Sequence, residues 1–283
     1  MSPIALQELK QYQGGVKPVW CPGCGDFSVL TATYQALAEL KLDPAKVVIA
    51  SGIGCSGRFP AYVNCYGFHG VHGRVLPTAT GMKIANPALT VLAVGGDGDG
   101  LAIGGGHFPH ACRRNVDLTY VMLDNQIYGL TKGQPSPTTM PSLVEYKQKA
   151  QPYGITEDRI NPVALALAYG ASFVARGYSG KVSQVLELIK RGIEHKGFSF
   201  VHILSPCVTF YDTYAFFKQA TVQMPEGHDS GSRLDAIHLS QAPGKFYLGV
   251  FYEHEGPDYT DRMTMIKRKA GPTTLDDVIK RFV

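Results

Sequence analysis

Five short runs rich in β-branched and aromatic residues recur along the chain, at 46–50 (K-V-V-I-A), 89–94 (L-T-V-L-A-V), 118–123 (L-T-Y-V-M-L), 171–175 (A-S-F-V-A) and 198–204 (F-S-F-V-H-I-L). Strands that are apolar almost throughout belong to a sheet covered on both faces. Segments with helical spacing lie before the first run at 27–40 and between later ones at 104–114 and 181–195; in the last, Val182, Val185, Leu186, Leu188 and Ile189 form one apolar stripe. Strand and helix in alternation predict a doubly wound, mainly parallel α/β sheet. A chain of 283 residues suffices for one such domain with a buried core.

The loops after the strands are more specific than the strands themselves. S-G-I-G-C-S-G-R (51–58) comes after the first, G-G-D-G-D-G (95–100) after the second, D-N-Q-I-Y-G-L-T-K-G (124–133) after the third and S-P-C (205–207) after the last. Ligands bind outside the carboxyl ends of strands in open α/β sheets, so these loops are expected to meet in one crevice. Glycine is enriched accordingly: 14 of the 32 glycines fall between Gly52 and Gly106. Beyond Cys207 the periodicity weakens, with no internal repeat and no low-complexity linker. The expected organisation is a site-bearing domain over 1–210 and a C-terminal extension over 211–283 that packs on the sheet or against a partner.

Lysine plus arginine exceed aspartate plus glutamate by only 27 to 23, which argues for neither nucleic acid nor an anionic membrane. No apolar stretch approaches the roughly 18 residues that cross a bilayer. Residues 1–15 lack the basic segment and apolar run of a signal peptide, and six cysteines are too few for a disulfide scaffold. A soluble protein of a reducing, cytoplasmic compartment is expected.

Asp97, in G-D-G, directly follows one strand, and Asn125 follows the next strand 28 positions later, about the length of a strand–helix–strand unit. Magnesium requires near-octahedral oxygen coordination. Asp97, Asn125 and the carbonyl of Ile127 can supply the protein's share beside a diphosphate. Gly98 and Gly100 are expected to let backbone amides approach the phosphates, and a helix after Gly104 to present its positive end to them. G-D-G alone suits a plain turn equally well; Asn125 at this spacing favours the metal site. A nicotinamide-binding domain is the main competitor, yet no G-x-G-x-x-G stands between the first strand and first helix.

Cys21 and Cys24 form a C-x-x-C before the first strand, Cys55 lies in the loop after it, and Cys207 follows the last strand. Four thiols at one crevice suit tetrahedral zinc or a four-iron cluster, and ligand count does not choose between them. Cys65 and Cys112 are expected to be small core residues, and His69 and His107 to be satisfied locally.

The G-D-G and asparagine pair resembles the magnesium and diphosphate motif of thiamine diphosphate enzymes. Over nearly the whole sheet region the chain further resembles the β subunit of two-subunit 2-oxoacid:ferredoxin oxidoreductases, through W-C-P-G-C-G-D-F, G-I-G-C-S, H-G-R-x-x-P-T-A-T-G-M-K, G-D-G-D, N-Q-I-Y-G-L-T-K-G-Q and S-P-C-V-T-F. The resemblance implies a [4Fe-4S] cluster on Cys21, Cys24, Cys55 and Cys207. It implies a thiamine diphosphate site lined by Ile53, Gly54, Cys55, Ser56, His72, Gly98, Asp99, Gly129 and Leu130, with His72 able to donate to a phosphate.

The implied reaction is oxidative decarboxylation of a 2-oxo acid, the electrons passing through the cluster to ferredoxin and the acyl group to coenzyme A, in a reaction that can run either way. Arg58 and Lys132 are the cations expected to meet an anionic substrate. S-P-C-V-T-F-Y-D-T looks more like the 2-oxoglutarate enzymes than the pyruvate ones, which are the alternative. The chain has no second sheet domain to carry the glutamate that activates thiamine, so a larger α subunit is expected to supply it. An iron-free thiamine diphosphate subunit and a noncatalytic scaffold remain the competing readings.

Overall fold

The computed structural model describes residues 9–140, 154–272 and 274–282; residues 1–8, part of the stretch read for a signal peptide, lie outside them. Helix α1 (Asp26–Glu39) leads into β1 (Val47–Ser51) and a short strand β2 (Tyr66–His69). Then come α2 (Val75–Ala85), β3 (Thr90–Gly96), α3 (Phe108–Arg114) and β4 (Leu118–Asp124), followed by the small hairpin of β5 (Ile127–Tyr128) and β6 (Gln134–Pro135). Helix α4 (Pro162–Ala168), β7 (Phe173–Tyr178), α5 (Val182–Glu194) and β8 (Phe198–Leu204) continue the alternation. The remaining chain adds α6 (Tyr214–Ala220), β9 (Thr221–Gln223), α7 (Arg233–Ser240), β10 (Phe246–Glu253), α8 (Tyr259–Ala270) and α9 (Leu275–Ile279).

Eight strands form one sheet in the order β2-β1-β3-β4-β8-β7-β10-β9, parallel throughout except where β10 pairs with β7. Successive side chains of a strand point to opposite faces, and here both faces are apolar. Val47, Ile49, Leu92, Val94, Val121, Leu123, Val201 and Ile203 meet α1 and α5, where Val29, Leu37, Val185 and Ile189 are buried. Val48, Ala50, Val91, Ala93, Tyr120, Met122, Phe198 and Phe200 meet the opposite layer, which includes Leu76, Phe108 and Val163. Each such side chain contributes on the order of 1.5–3 kcal/mol when fully buried. Two covered faces leave the strand ends as the place for a site.

Two elements depart from expectation. The strand expected at 171–175 runs from Phe173 to Tyr178. Ala171 and Ser172 belong to the approach from α4, after Gly170 with φ +85°, and the strand continues through Arg176 and Gly177, residues that do not read as strand. The helix expected at 104–114 begins only at Phe108, and helical turns instead start directly at the end of β3, with a π-helical turn over Asp99–Ile103. The positive end near Asp97 therefore belongs to that tight turn and not to a helix after Gly104. After residue 210 the chain contributes β9 and β10 to the same sheet.

Candidate active site

The loops after β1, β3 and β4 converge. One cleft is lined by Ile53, Gly54, Cys55 and Ser56 from the first, Asp97, Gly98 and Asp99 from the second, and Asn125, Ile127, Gly129 and Leu130 from the third, with His72, Tyr128 and Asp26 completing it. Asp99 ties the loops together. Its Oδ1 accepts from the Ile53 amide (2.9 Å), the Gly73 amide (2.8 Å) and His72 Nδ1 (2.6 Å). With Nδ1 so engaged, His72 has Nε2 free, and that nitrogen donates to a phosphate only from the imidazolium. A Cβ on Gly52 would collide with the Asp99 carboxylate, so glycine is required there for the loop to close.

The glycines of G-D-G-D-G prove to serve different ends. A Cβ on Gly98 would fall within the Tyr128 ring, which packs over the turn and whose hydroxyl lies 3.4 Å from the Gly98 carbonyl. Gly100 faces inward: its Cβ would strike the Tyr120 hydroxyl and crowd Met122. Its role is to admit core side chains, and it does not line the cleft.

The oxygens read as magnesium ligands are partly engaged. Asn125 Oδ1 accepts the Ile127 amide at 3.0 Å, and the Ile127 carbonyl accepts the Gly129 amide at 3.1 Å, which leaves a lone pair on each. Asp97 is 1% exposed and its Oδ2 lies 2.6 Å from Thr138 Oγ1. Burial, and then the neighbouring Asp124, push its carboxyl well above the usual carboxylate range. Two buried carboxylates side by side call for a counter-charge, which a divalent cation bound with a diphosphate supplies. Ser56 Oγ, buried without a hydrogen-bond partner, lines the same cleft and suits a phosphate oxygen. The donor set thus fits a magnesium diphosphate group.

Cys21, Cys24, Cys55 and Cys207 line a second cavity next to the first, together with Trp20, Arg58, Asn125, Gly129, Leu130 and Lys132. A Cβ on Gly129 would lie 3.5 Å from Cys55 Sγ and 3.7 Å from Cys207 Sγ, so these thiols flank one point of the backbone. Burial above all pushes Cys55 up to about 12, with Asp26, Cys207 and Cys21 adding to it. Burial likewise raises Cys24. Thiolates crowded in this way require a cationic centre to hold them deprotonated. Among the described residues no three His, Cys, Asp or Glu side chains converge tightly enough for a single ion. The four thiols line one cavity, and a four-thiol donor set of this kind suits a multi-iron cluster.

Trp20 anchors the C-x-x-C segment: its Nε1 donates to the Cys55 carbonyl at 2.7 Å and its ring packs edge-on against Phe27 and Tyr62. Asp26, two residues after Cys24, accepts from Ser205 Oγ at 2.7 Å, and the Gly25 amide donates to the Pro206 carbonyl. These bonds tie the first cysteine loop to the last. Neither residue has a role readable from its position alone. Arg58 and Lys132 are exposed at the cavity rim, Lys132 with φ +77°, a left-handed conformation uncommon outside glycine. Cys112 is buried as expected and Cys65 half-buried; His69 Nδ1 meets Ser51 Oγ at 3.0 Å. No helix among the described residues is long and apolar enough to cross a membrane.

Comparison with known proteins gives consistent likenesses. The family described as thiamine pyrophosphate enzyme, C-terminal TPP binding domain, matches residues 52–203, and the family for the C-terminal part of the pyruvate ferredoxin oxidoreductase beta subunit matches 207–268. The chain is 42% identical over 275 residues to the beta subunit of 2-oxoacid:ferredoxin oxidoreductase 1 from Aeropyrum pernix, covering 92% of this chain and 86% of that one. It is 37% identical over 275 residues to a 2-oxoglutarate synthase subunit from Methanocaldococcus jannaschii, covering 94% and 97%. A solved 2-oxoglutarate:ferredoxin oxidoreductase from Magnetococcus marinus, with 2-oxoglutarate, coenzyme A and succinyl-CoA bound, superposes with TM-score 0.92 at 42% identity over 99% of this chain and 97% of that one.

Proposed function

The chain belongs to the family of 2-oxoacid:ferredoxin oxidoreductase β subunits, and on that premise we propose how its own residues divide the work. Asp97, Asn125 and the Ile127 carbonyl hold a magnesium ion that carries thiamine diphosphate. Ser56, His72, Gly98 and Asp99 shape the diphosphate pocket, and Cys21, Cys24, Cys55 and Cys207 hold one [4Fe-4S] cluster. With a larger α subunit the chain oxidises 2-oxoglutarate in preference to pyruvate, passing the acyl group to coenzyme A and the electrons to ferredoxin. When bound, thiamine diphosphate supplies the electron sink for decarboxylation.

The observation that carries this reading is a shared wall. Cys55, Asn125, Gly129 and Leu130 line both the diphosphate cleft and the four-thiol cavity. Electrons released in one therefore have a short path into the other. Arg58 and Lys132 at the rim supply positive charge for a dianionic substrate, Arg58 as the bidentate partner of a distal carboxylate. Among the described residues no glutamate lines the cleft. Leu130, which lines the cleft, is exposed, as are Val71 beside the cleft residue His72 and Ile103 beside Gly73, which suits a partner subunit that closes the cleft and brings the activating carboxylate. Six free thiols fit a reducing compartment.

The test is an anaerobically prepared two-subunit complex. It is expected to contain iron, sulfide and thiamine diphosphate, and to reduce ferredoxin with coenzyme A faster on 2-oxoglutarate than on pyruvate. Cys55→Ser is expected to lose the cluster signal and ferredoxin reduction while retaining thiamine diphosphate. Faster turnover of pyruvate overturns the substrate assignment, and undiminished ferredoxin reduction by Cys55→Ser overturns the electron path.

A further inference from the structure

The segment Q-P-S-P-T-T-M after β5 has the composition of a surface turn, yet Ser136, Thr138 and Thr139 are only 8%, 1% and 2% exposed. Buried hydroxyls require partners, and these reach the two loops read as carrying the cation ligands. Thr138 Oγ1 lies 2.6 Å from Asp97 Oδ2 and 2.8 Å from Asp124 Oδ1. Its single proton serves one oxygen at a time, so the hydroxyl sets the spacing between the ends of β3 and β4. Thr139 Oγ1 accepts the Ser136 amide at 2.8 Å and donates to the Gln126 carbonyl at 2.7 Å. Gln126 has φ +61°, a strained conformation that persists only when its surroundings hold it. It sits between Asn125 and Ile127.

The far side of Asp124 is braced as well. His202 Nε2 donates to Asp124 Oδ2 at 2.7 Å, and Arg176 Nε donates to His202 Nδ1 at 3.1 Å. A guanidinium can only donate, which places the His202 proton on Nε2. Arg176 is 2% exposed and stacks against Phe246 and Phe251. A rigid polar line thus runs from β7 through β8 to the end of β4, and Thr138 extends it to Asp97. Packing alone gives no reason for such a line, because apolar residues of the same volume serve packing as well or better.

We propose that the strap 136–139 positions the cation's protein ligands, Thr138 by fixing the rotamer of Asp97 and Thr139 by holding the 124–127 turn that presents Asn125 and the Ile127 carbonyl. Both threonines are positioning residues, and the proposal rests on the reading of Asp97 as a cation ligand.

Manganese, which occupies oxygen sites of this kind, is the probe. It is titrated by electron paramagnetic resonance into the two-subunit complex at saturating thiamine diphosphate. Thr138→Val is expected to weaken manganese binding about 10–100-fold, with Thr138→Ser within about threefold of the native complex and Asp97→Asn weakened at least as much as Thr138→Val. A purely structural hydroxyl would lower the yield of assembled complex without changing the Kd of what assembles. Unchanged manganese binding by Thr138→Val, with Asp97→Asn weakened, overturns the role of the strap alone. Unchanged binding by Asp97→Asn overturns the ligand reading beneath it. If Thr138→Val does not assemble, Thr139→Val decides: about tenfold weaker binding supports the strap and an unchanged Kd overturns it.

Discussion

The two ends of the parallel strands are both polar and both buried, but only one gathers its unused polar atoms into a single cleft. At the amino ends, Asn115 takes a left-handed conformation and its Oδ1 accepts the Phe198 amide at 2.8 Å and Ser172 Oγ at 2.6 Å. Ser172 Oγ also meets His195 Nε2 at 2.8 Å, and Lys83 pairs with Asp117 at 2.7 Å. At the carboxyl ends Ser56 Oγ and Asp99 Oδ2 have no partner, burial pushes the Asp97 carboxyl above its usual range, and four thiols face a cavity. Burial of polar groups does not by itself mark a site. What separates the ends is where the unused bonding capacity lies: at the amino ends Ser199 Oγ also lacks a partner, but it lines neither cavity, whereas at the carboxyl ends the unused atoms converge on one cleft.

That contrast breaks most visibly at Asp97. Asp97→Ala is expected to lower ferredoxin reduction by at least about a thousandfold and to release thiamine diphosphate on gel filtration, with the unfolding midpoint nearly unmoved. A complex that keeps its cofactor would erase the distinction between the ends. Asn115→Ala should do the reverse, leaving the buried Phe198 amide unsatisfied and an alanine in a left-handed conformation, at a stability loss of roughly 3 kcal/mol by denaturant unfolding, while turnover per assembled complex stays unchanged.

Asp26 sharpens the comparison through pH. Burial raises its carboxyl from 3.8 to about 6, against the opposing bond from Ser205. The fold then binds this proton more tightly than the unfolded chain does, so stability falls as pH rises from about 4 to about 6 and levels off above that. Asp26→Asn is expected to stabilise the complex by up to about 3 kcal/mol at pH 8 and by clearly less at pH 5. Equal effects at the two values would mean that burial imposes no such penalty. The smallest effect is expected at Arg191, whose exposed side chain pairs with Glu253 near the amino ends; Arg191→Ala should change stability by no more than about 1 kcal/mol, read as a urea midpoint.

Legibility followed locality. The run at 198–204 reads as β8 because seven consecutive residues are buried, and G-D-G with Asn125 reads as a pair because each follows its strand directly. The residues that the family resemblance implies for the thiamine diphosphate site line one cleft. What stayed hidden depends on partners remote in the chain. Thr138 lies among prolines and hydroxyls that suit a surface turn equally well, and its burial comes from Asp97, 41 positions away. Gly100 sits among glycines next to the cleft, yet its reason is the Tyr120 hydroxyl below. β10 alternates aromatics and glycine after a stretch without period, and it becomes a strand only because β7 offers an open edge.

That pairing bears on the order in which the protein is made. β7 ends at Tyr178 and its antiparallel neighbour begins at Phe246, so on the ribosome the edge of β7 waits for about 70 further residues, several seconds of synthesis. Until then Arg176 lacks the Phe246 and Phe251 rings that enclose it, and an unpaired edge strand invites pairing with other chains. The nascent chain therefore passes through an interval in which most of the sheet is present and its flank is bare. An early-binding chaperone or partner subunit would find its most useful foothold along that flank.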